Sequence, residues 1–139
     1  MSNCIFCKII KGEIPSIKIY EDENVLAFLD ISQTTKGHTL VIPKKHVENV
    51  FSLDQETVKQ VYSVIPDLAN AIVKAFDAGG LNIVNNNNEL AGQTVYHYHV
   101  HLVPRYSKDE SFKILYTNNM ERYSTNDLVE LAEQIKSQL

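Results

Sequence analysis

Hydrophobic and polar positions follow one another along the chain in a pattern that predicts a mixed α and β domain. The apolar runs at 24–29 and 39–42 are short and bounded by polar residues or proline, as buried strands are. Gly37 lies just before the second run, where a turn is needed. Two further strands are predicted at 81–84 and 95–103.

A long helix is predicted between the two groups of strands, from residue 52 to residue 77. Apolar side chains recur there every three or four positions, which is the helical period. Ser52 and Gln55 have the spacing of a capping box, and Pro66 should kink the helix or end its first half. Gly79-Gly80 is expected to stop the helix.

A second helix is predicted near the C-terminus, from about 125 to 138. Ser124 is a suitable N-cap, and an apolar stripe follows at Leu128, Leu131, Ala132 and Ile135. Only one helix separates the strand groups, and the early strands lie too close together for helical crossovers. The sequence therefore predicts an α+β fold with a mainly antiparallel sheet.

Length and charge limit the possible classes of function. A chain of 139 residues without a linker or internal repeat fits one domain, 1–139, and its 44% hydrophobic content suffices for a core. The net charge of -4 argues against a nucleic-acid partner, but it is compatible with a small phosphorylated substrate. No apolar stretch approaches the roughly 20 residues of a membrane span, and Met1-Ser2-Asn3-Cys4 does not resemble a signal peptide. We therefore expect a cytoplasmic protein without membrane association, whose cysteines are reduced.

The segment His97-Tyr98-His99-Val100-His101 holds three of the five histidines of the chain. In a strand, the three imidazoles would share one face at about 6.5 Å intervals, while Tyr98, Val100 and Leu102 would face the core. A half-exposed strand whose polar face happens to be histidine is one explanation. A metal site is another, because imidazole is a common zinc ligand.

The residues from His97 to Val103 match the His-φ-His-φ-His-φ-φ signature of the histidine triad (HIT) family, in which φ is hydrophobic. Other segments resemble the same family, and recognisable motifs span residues 4–105; these segments are Ile5–Ile10, Phe28–Ser32, Gly37–His46 and Ala91–Val95. The resemblance implies a HIT-like fold with a five-stranded, mainly antiparallel sheet, one long helix and a C-terminal helix. It also implies a homodimer that joins two such sheets into one of ten strands, which would protect an exposed edge strand.

The resemblance implies a nucleotide hydrolase or transferase that acts at the α-phosphate of a nucleoside monophosphate conjugate. His99 would be the nucleophile that forms a nucleotidyl–histidine intermediate, and neutral imidazole is suited to this near pH 7. His101 would lie against the phosphate or its leaving atom, His38 would support the site, and Thr94 would offer its hydroxyl. No organic cofactor is implied.

The resemblance also implies a set of substrate-binding residues. Asp30 would accept the ribose hydroxyls, while Phe28 and Ile31 would form the wall of a base pocket unless they are ordinary core residues. The N–H groups of Gly92, Gln93 and Thr94 would bind the phosphate. Asn86 would contact the substrate near the phosphate, with Asn85 or Asn87 as an alternative. The expected partner is a purine nucleotide or nucleotide conjugate.

Cys4 and Cys7 form a Cys-x-x-Cys pair with three interpretations. A thioredoxin-like redox pair would need a preceding strand, which this segment lacks. Two incidental thiols are the second interpretation. The third comes from the resemblance, since some family members pair such cysteines with two distant histidines, here His46 and His97. This Cys₂His₂ set would hold a structural zinc.

Three functions therefore remain open. The first is the hydrolysis of purine nucleoside phosphoramidates, which the opening Cys-x-x-Cys-Lys-Ile-Ile favours. The second is the hydrolysis of dinucleoside polyphosphates, which Val103-Pro104-Arg105 favours. The third is a nucleotide-binding regulatory protein with vestigial catalysis, which the full set of catalytic positions disfavours.

Overall fold

The computed structural model describes residues 3–139 and contains one sheet of five strands, with helices on both of its faces. The strands follow the order β1-β2-β3-β5-β4, and all neighbours are antiparallel. The elements are α1 (Ile5–Ile10), β1 (Lys18–Glu21), β2 (Val25–Leu29), β3 (Thr39–Pro43), α2 (Gln55–Phe76), β4 (Gly80–Val84), β5 (Val100–Arg105) and α3 (Thr125–Lys136). The predicted α+β fold is confirmed.

The two faces of the sheet bury two separate apolar clusters. Alternate residues of a strand point to opposite faces, so β2 directs Val25 and Ala27 toward α2, and Leu26 and Phe28 toward α1. Because both faces are covered there, the central strands β2 and β3 consist of nearly continuous buried runs rather than alternating ones. Helix α2 contributes Val61, Ile65, Leu68 and Ile72 to its cluster. Helix α1 contributes Phe6 and Ile9 to the other.

Helix α2 differs from its prediction at both ends. The predicted Ser52–Gln55 capping box is wrong: Asp54 is the N-cap, and its side chain accepts a hydrogen bond from the Thr57 amide at 2.9 Å. The expected stop at Gly79-Gly80 is also wrong, because Asp77 takes the left-handed conformation (φ 52°) and caps the helix. Pro66 lies inside the helix without ending it.

Two strand predictions also need correction. Strand β5 begins at Val100 rather than at residue 95, so His97 and His99 lie in an irregular segment before the strand. Tyr98, Val100 and Leu102 nevertheless face the core, as predicted. Strand β1 had no counterpart in the prediction because it is a mostly exposed edge strand without an apolar run.

Gly37 forms the turn that delivers His38 to the start of β3. Its φ is +94°, a conformation that favours glycine. A Cβ at this position would lie 2.7 Å from the Phe76 ring. The close approach of α2 to the turn therefore requires glycine.

The segment after β5 is exposed. Every residue from 113 to 139 is exposed. Helix α3 forms as predicted, and Ser124 caps it in a capping box with Asp127. Its apolar stripe is largely open to solvent, since Leu128 is 55% and Ile135 is 67% exposed. Within residues 3–139, the helices are too short or too polar to cross a membrane.

Candidate active site

The nucleophile candidate, His99, is held so that one ring nitrogen is free. Its Nδ1–H donates to the carbonyl oxygen of His97 at 2.7 Å, which leaves the lone pair on Nε2. The Asn85 side-chain amide donates to the His99 carbonyl oxygen at 2.9 Å and fixes the main chain. Burial lowers the pKa of His99 below its usual value of 6.5, so the ring is neutral near pH 7. This arrangement presents a neutral nitrogen nucleophile.

Two further histidines form a hydrogen-bonded chain beside it. The Thr34 amide donates to His38 Nδ1 at 3.3 Å, which assigns the His38 proton to Nε2. His38 Nε2 in turn lies 2.9 Å from His101 Nδ1, so His101 accepts there and carries its own proton on Nε2. That Nε2 is buried without a hydrogen-bond partner among the described residues. The chain thus leaves one unpaired N–H donor on the His101 ring, next to His99.

Electrostatics keep these rings uncharged. Burial, with smaller contributions from His99 and His38, lowers the pKa of His101 to about 4. Burial also lowers the pKa of His38. The His99 and His101 ring centroids lie 5.0 Å apart, so a charge on one would disfavour a charge on the other.

Asp30 follows β2 and supplies the carboxylate of the site. Its Oδ1 accepts hydrogen bonds from the Ser32 amide at 2.8 Å and the Ser32 hydroxyl at 2.7 Å. Burial raises the pKa of Asp30, but these hydrogen bonds and the nearby histidines outweigh it and lower the pKa overall. Its Oδ2 lies 3.7 Å from His38 Nε2. Asp30 is therefore an ionised acceptor at the edge of the histidine centre.

An apolar cavity of about 250 Å³ lies next to Asp30. Both residues predicted for a base pocket line this cavity. Phe28 is also a core residue, whereas Ile31 is 99% exposed. Helix α1 contributes a further wall that was not predicted from the sequence, formed by Ile5, Phe6 and Ile9. The apolar spacing of these three positions within one helical turn is the signal that could have identified it.

The loop between β4 and the histidine segment differs from its prediction. The Gln93 side chain is occupied, because it donates to the Glu48 carbonyl at 2.7 Å and accepts from the Asn88 amide at 2.7 Å. The Gly92 and Gln93 amides also donate within the loop. The Thr94 and Val95 amides have no hydrogen-bond acceptor in the part of the chain that the structure describes. An anion would therefore find free donors at Thr94 and Val95 rather than at Gly92 and Gln93.

The asparagine run separates into three structural residues and one free side chain. Asn85, Asn87 and Asn88 each hold another part of the protein, through the His99 carbonyl, the Val50 amide and the Asn49 side chain respectively. Asn86 instead lies beside Gly92, with its amide nitrogen 3.9 Å from a Cβ built on that glycine. Asn86 is thus the member of the run best placed to meet a ligand.

Cys4, Cys7, His46 and His97 come together, with their possible ligand atoms all within 4.8 Å of one another. His97 Nδ1 lies 3.5 Å from Cys4 Sγ, and His46 Nδ1 lies 3.3 Å from Cys7 Sγ. His97 Nε2 donates to the Pro43 carbonyl at 2.8 Å, so the Nδ1 lone pair faces the thiols. An orienting bond of this kind is typical of metal-ligating histidine. The residues therefore fit a closed tetrahedral metal site.

Asp30, His38 and His101 also have possible metal-ligand atoms within 4.8 Å of one another. However, the hydrogen bond between His38 Nε2 and His101 Nδ1 places a proton between these two nitrogens. Their lone pairs do not converge on a common point, so the geometry suits a shared hydrogen bond better than a metal ion.

The fold and this centre define an α+β protein with a cluster of buried, neutral histidines beside an apolar cavity. The HIT domain family matches residues 11–108, and the chain belongs to that family. A HIT family member from Bacillus subtilis, whose crystal structure is known, has 53% sequence identity to this chain. The two structures superpose with a TM-score of 0.95, and the match covers 99% of this chain and 97% of that one.

Two further relatives bear on the chemistry. Adenosine 5'-monophosphoramidase hnt1 of Schizosaccharomyces pombe is 34% identical over 137 residues, which cover 99% of this chain and 98% of that protein. A zinc-bound histidine triad family protein from Mycobacterium smegmatis is 39% identical, with a TM-score of 0.75, and the match covers 96% of this chain and 98% of that one.

Proposed function

We propose that the protein transfers a purine nucleoside monophosphate from a phosphoramidate conjugate to His99, and then to water. The observation that carries this proposal is the hydrogen bond from His99 Nδ1 to the His97 carbonyl, which leaves Nε2 free. The unpaired N–H of His101 lies on the adjacent ring. A nucleophile next to an unsatisfied donor suits attack on a phosphorus atom that bears negative oxygens.

In the proposed reaction, His99 Nε2 forms a bond to the α-phosphorus while the bond to the leaving atom breaks. The electron pair of the broken bond goes to the leaving atom. His101 Nε2 donates a hydrogen bond to the phosphate or to that atom, and His38 holds the His101 ring. As it departs, the leaving atom takes up one proton through the hydrogen bond that His101 Nε2 donates. Water then attacks phosphorus and gives one proton back to His101 Nε2, the bond between phosphorus and His99 Nε2 breaks, and the nucleoside monophosphate is released.

Substrate contacts are proposed from what the structure leaves free. The Thr94 and Val95 amides, with the Thr94 hydroxyl, would bind the phosphate, and Asn86 would lie close to it. Gly92 allows close approach of the loop, whereas Gln93 shapes the loop rather than touching the substrate.

The nucleoside would occupy the remaining part of the site. Asp30 would accept the ribose hydroxyls, because its Oδ2 is free of the Ser32 hydrogen bonds. The base would lie in the apolar cavity between Phe28, Ile31 and the side chains of α1. An apolar slot with one polar edge is the usual form of a small-ligand site.

The proposal is tested by the kinetics of purified protein on adenosine phosphoramidate and on diadenosine tetraphosphate. We expect the higher kcat/KM on the phosphoramidate, in line with the activity named for the fission-yeast relative. Because burial lowers the pKa of His99, the neutral ring persists below pH 6.5, and the acid limb of kcat/KM should lie below that pH. A higher kcat/KM on diadenosine tetraphosphate would instead favour the hydrolysis of dinucleoside polyphosphates. Binding of AMP without turnover of any conjugate would favour the regulatory binder.

We also propose that Cys4, Cys7, His46 and His97 bind one structural zinc. The convergence of two thiols and two oriented imidazoles supports it, as does the zinc in the mycobacterial relative. Zinc would be fully ligated by these four side chains, so it would stabilise the fold rather than bind substrate.

A homodimer is proposed from the surface that the single chain leaves uncovered. Strand β4 is an edge of the sheet with a half-exposed Ile83, and the apolar stripe of α3 is exposed. A helix of 12 residues is marginal in water without packing. Sedimentation equilibrium should therefore give twice the mass of one chain, and a monomer at micromolar concentration would contradict the proposal. The cytoplasmic location stays a prediction.

A further inference from the structure

Helix α1 belongs to two sites at once. Cys4 is its N-cap and Cys7 lies within it, so α1 and its cap carry half of the proposed zinc ligands. Ile5, Phe6 and Ile9 occupy the positions between and after these cysteines, and they line the apolar cavity. The metal ligands and the cavity wall therefore interleave along one short helix.

The position of α1 depends on what it packs against. The helix has only six residues, well below the roughly 12–15 residues that an isolated helix needs in water. Phe6 and Ile9 anchor it on the sheet. The thiols face His46 and His97, which lie far away in sequence, so a metal ion there would tie α1 to two other parts of the chain.

Phe6 makes the direct contact between the two sites. Its ring packs edge-on against His97, at 5.9 Å between centroids, and against Phe28 in the cavity wall, at 5.6 Å. His97 is fully buried and belongs to the metal-binding set. A change in the position of His97 would therefore displace a side chain that a bound base would touch.

Given the nucleotide and zinc sites proposed above, we infer that metal binding and nucleoside binding are thermodynamically coupled through α1. The ligand that binds first restricts the helix, and the second ligand then loses less conformational entropy on binding. Each ligand must tighten the other by the same factor, because coupling between two binding equilibria is reciprocal.

The test measures both affinities on the full chain. The zinc affinity is obtained by competition with a chromogenic chelator, with and without saturating AMP. The AMP dissociation constant is obtained by calorimetry on zinc-loaded and metal-free protein. Couplings between sites usually amount to about 5- to 150-fold, and we expect both constants to tighten by about tenfold. Circular dichroism of the metal-free protein should show the fold retained.

Two controls assign the coupling to α1. Ribose 5-phosphate lacks the base that contacts the helix, so it should leave the zinc affinity within about twofold. Phe6→Leu keeps an apolar wall but loses the ring contacts to His97 and to His99, and it should bring the coupling factor close to one. If ribose 5-phosphate raised the zinc affinity as much as AMP does, the coupling would arise from the phosphate and not from the base. That result would exclude coupling through α1.

The remaining outcomes separate this inference from the proposals beneath it. If zinc and AMP both bind but neither changes the affinity for the other, the inferred coupling is wrong, and the two proposed binding sites are still supported. If AMP does not bind in either metal state, the nucleotide function fails, and if zinc does not bind, the metal site fails. Global unfolding of the metal-free protein would also overturn the inference, because any ligand of the folded state would then tighten zinc.

Discussion

Replacing His99 with alanine is expected to lower kcat on an adenosine phosphoramidate by about 10⁴-fold or more, as losses of covalent nucleophiles do. The AMP dissociation constant should change by less than about fivefold, because the cavity, Asp30 and the loop amides are all retained. Rapid quenching of the wild-type reaction, followed by mass spectrometry under alkaline conditions, should detect a nucleotide on His99.

A matched variant, His38→Ala, distinguishes the nucleophile from a residue that acts through another. His38 orients His101 through a 2.9 Å hydrogen bond and makes no bond to His99. Its loss should lower kcat by about 10- to 100-fold and leave the covalent intermediate detectable. If His99→Ala retains turnover within tenfold of wild type, covalent catalysis at His99 is excluded.

Replacing His46 with alanine is expected to abolish zinc binding and to lower the melting temperature by roughly 10 °C or more. Binding energy at a structural zinc site contributes to folding, and about 1 kcal/mol corresponds to roughly 2–4 °C for a domain of this size. Wild-type protein purified without chelator should contain about one zinc per chain by elemental analysis. Scanning calorimetry with and without a chelator provides the second measurement.

Lys45 is the natural control, since it lies next to His46 and outside the ligand set. Its ammonium group pairs with Asp54 at 2.7 Å on an exposed surface, where an ion pair contributes about 0–1 kcal/mol. Lys45→Ala should therefore melt within roughly 3 °C of wild type and keep its zinc. Wild-type protein without zinc, with Cys4 and Cys7 both freely titratable, would contradict the metal site.

The sequence was sufficient for the main plan of the fold because that plan depends on local patterns. Apolar runs identified β2 and β3, and the helical period identified α2. The errors occur where two local solutions compete. Ser52 and Asp54 both have side chains that can cap a helix, and the turn at Val50–Ser52 assigns the role to Asp54.

The site was harder to predict because its parts are brought together by long-range packing. The pattern of alternating histidines identified the centre, and only the family resemblance placed His97 with the two cysteines. Neither predicted that the His97 carbonyl would accept the proton of His99. The roles within the asparagine run depend on partners up to 39 residues away. The contribution of α1 to the cavity wall depends on how the helix packs on the sheet, and a local sequence pattern does not predict that packing.

The hydrogen-bonded chain of histidines ends at the main-chain amide of Thr34, and this has a consequence for how the protein tolerates change. The amide does not titrate, and every residue other than proline supplies it. Position 34 can therefore vary freely in side chain while still setting the proton of His38 and, through it, that of His101. One substitution there, Thr34→Pro, would remove the N–H that donates to His38 Nδ1, and with it the bond that fixes the protons of His38 and His101.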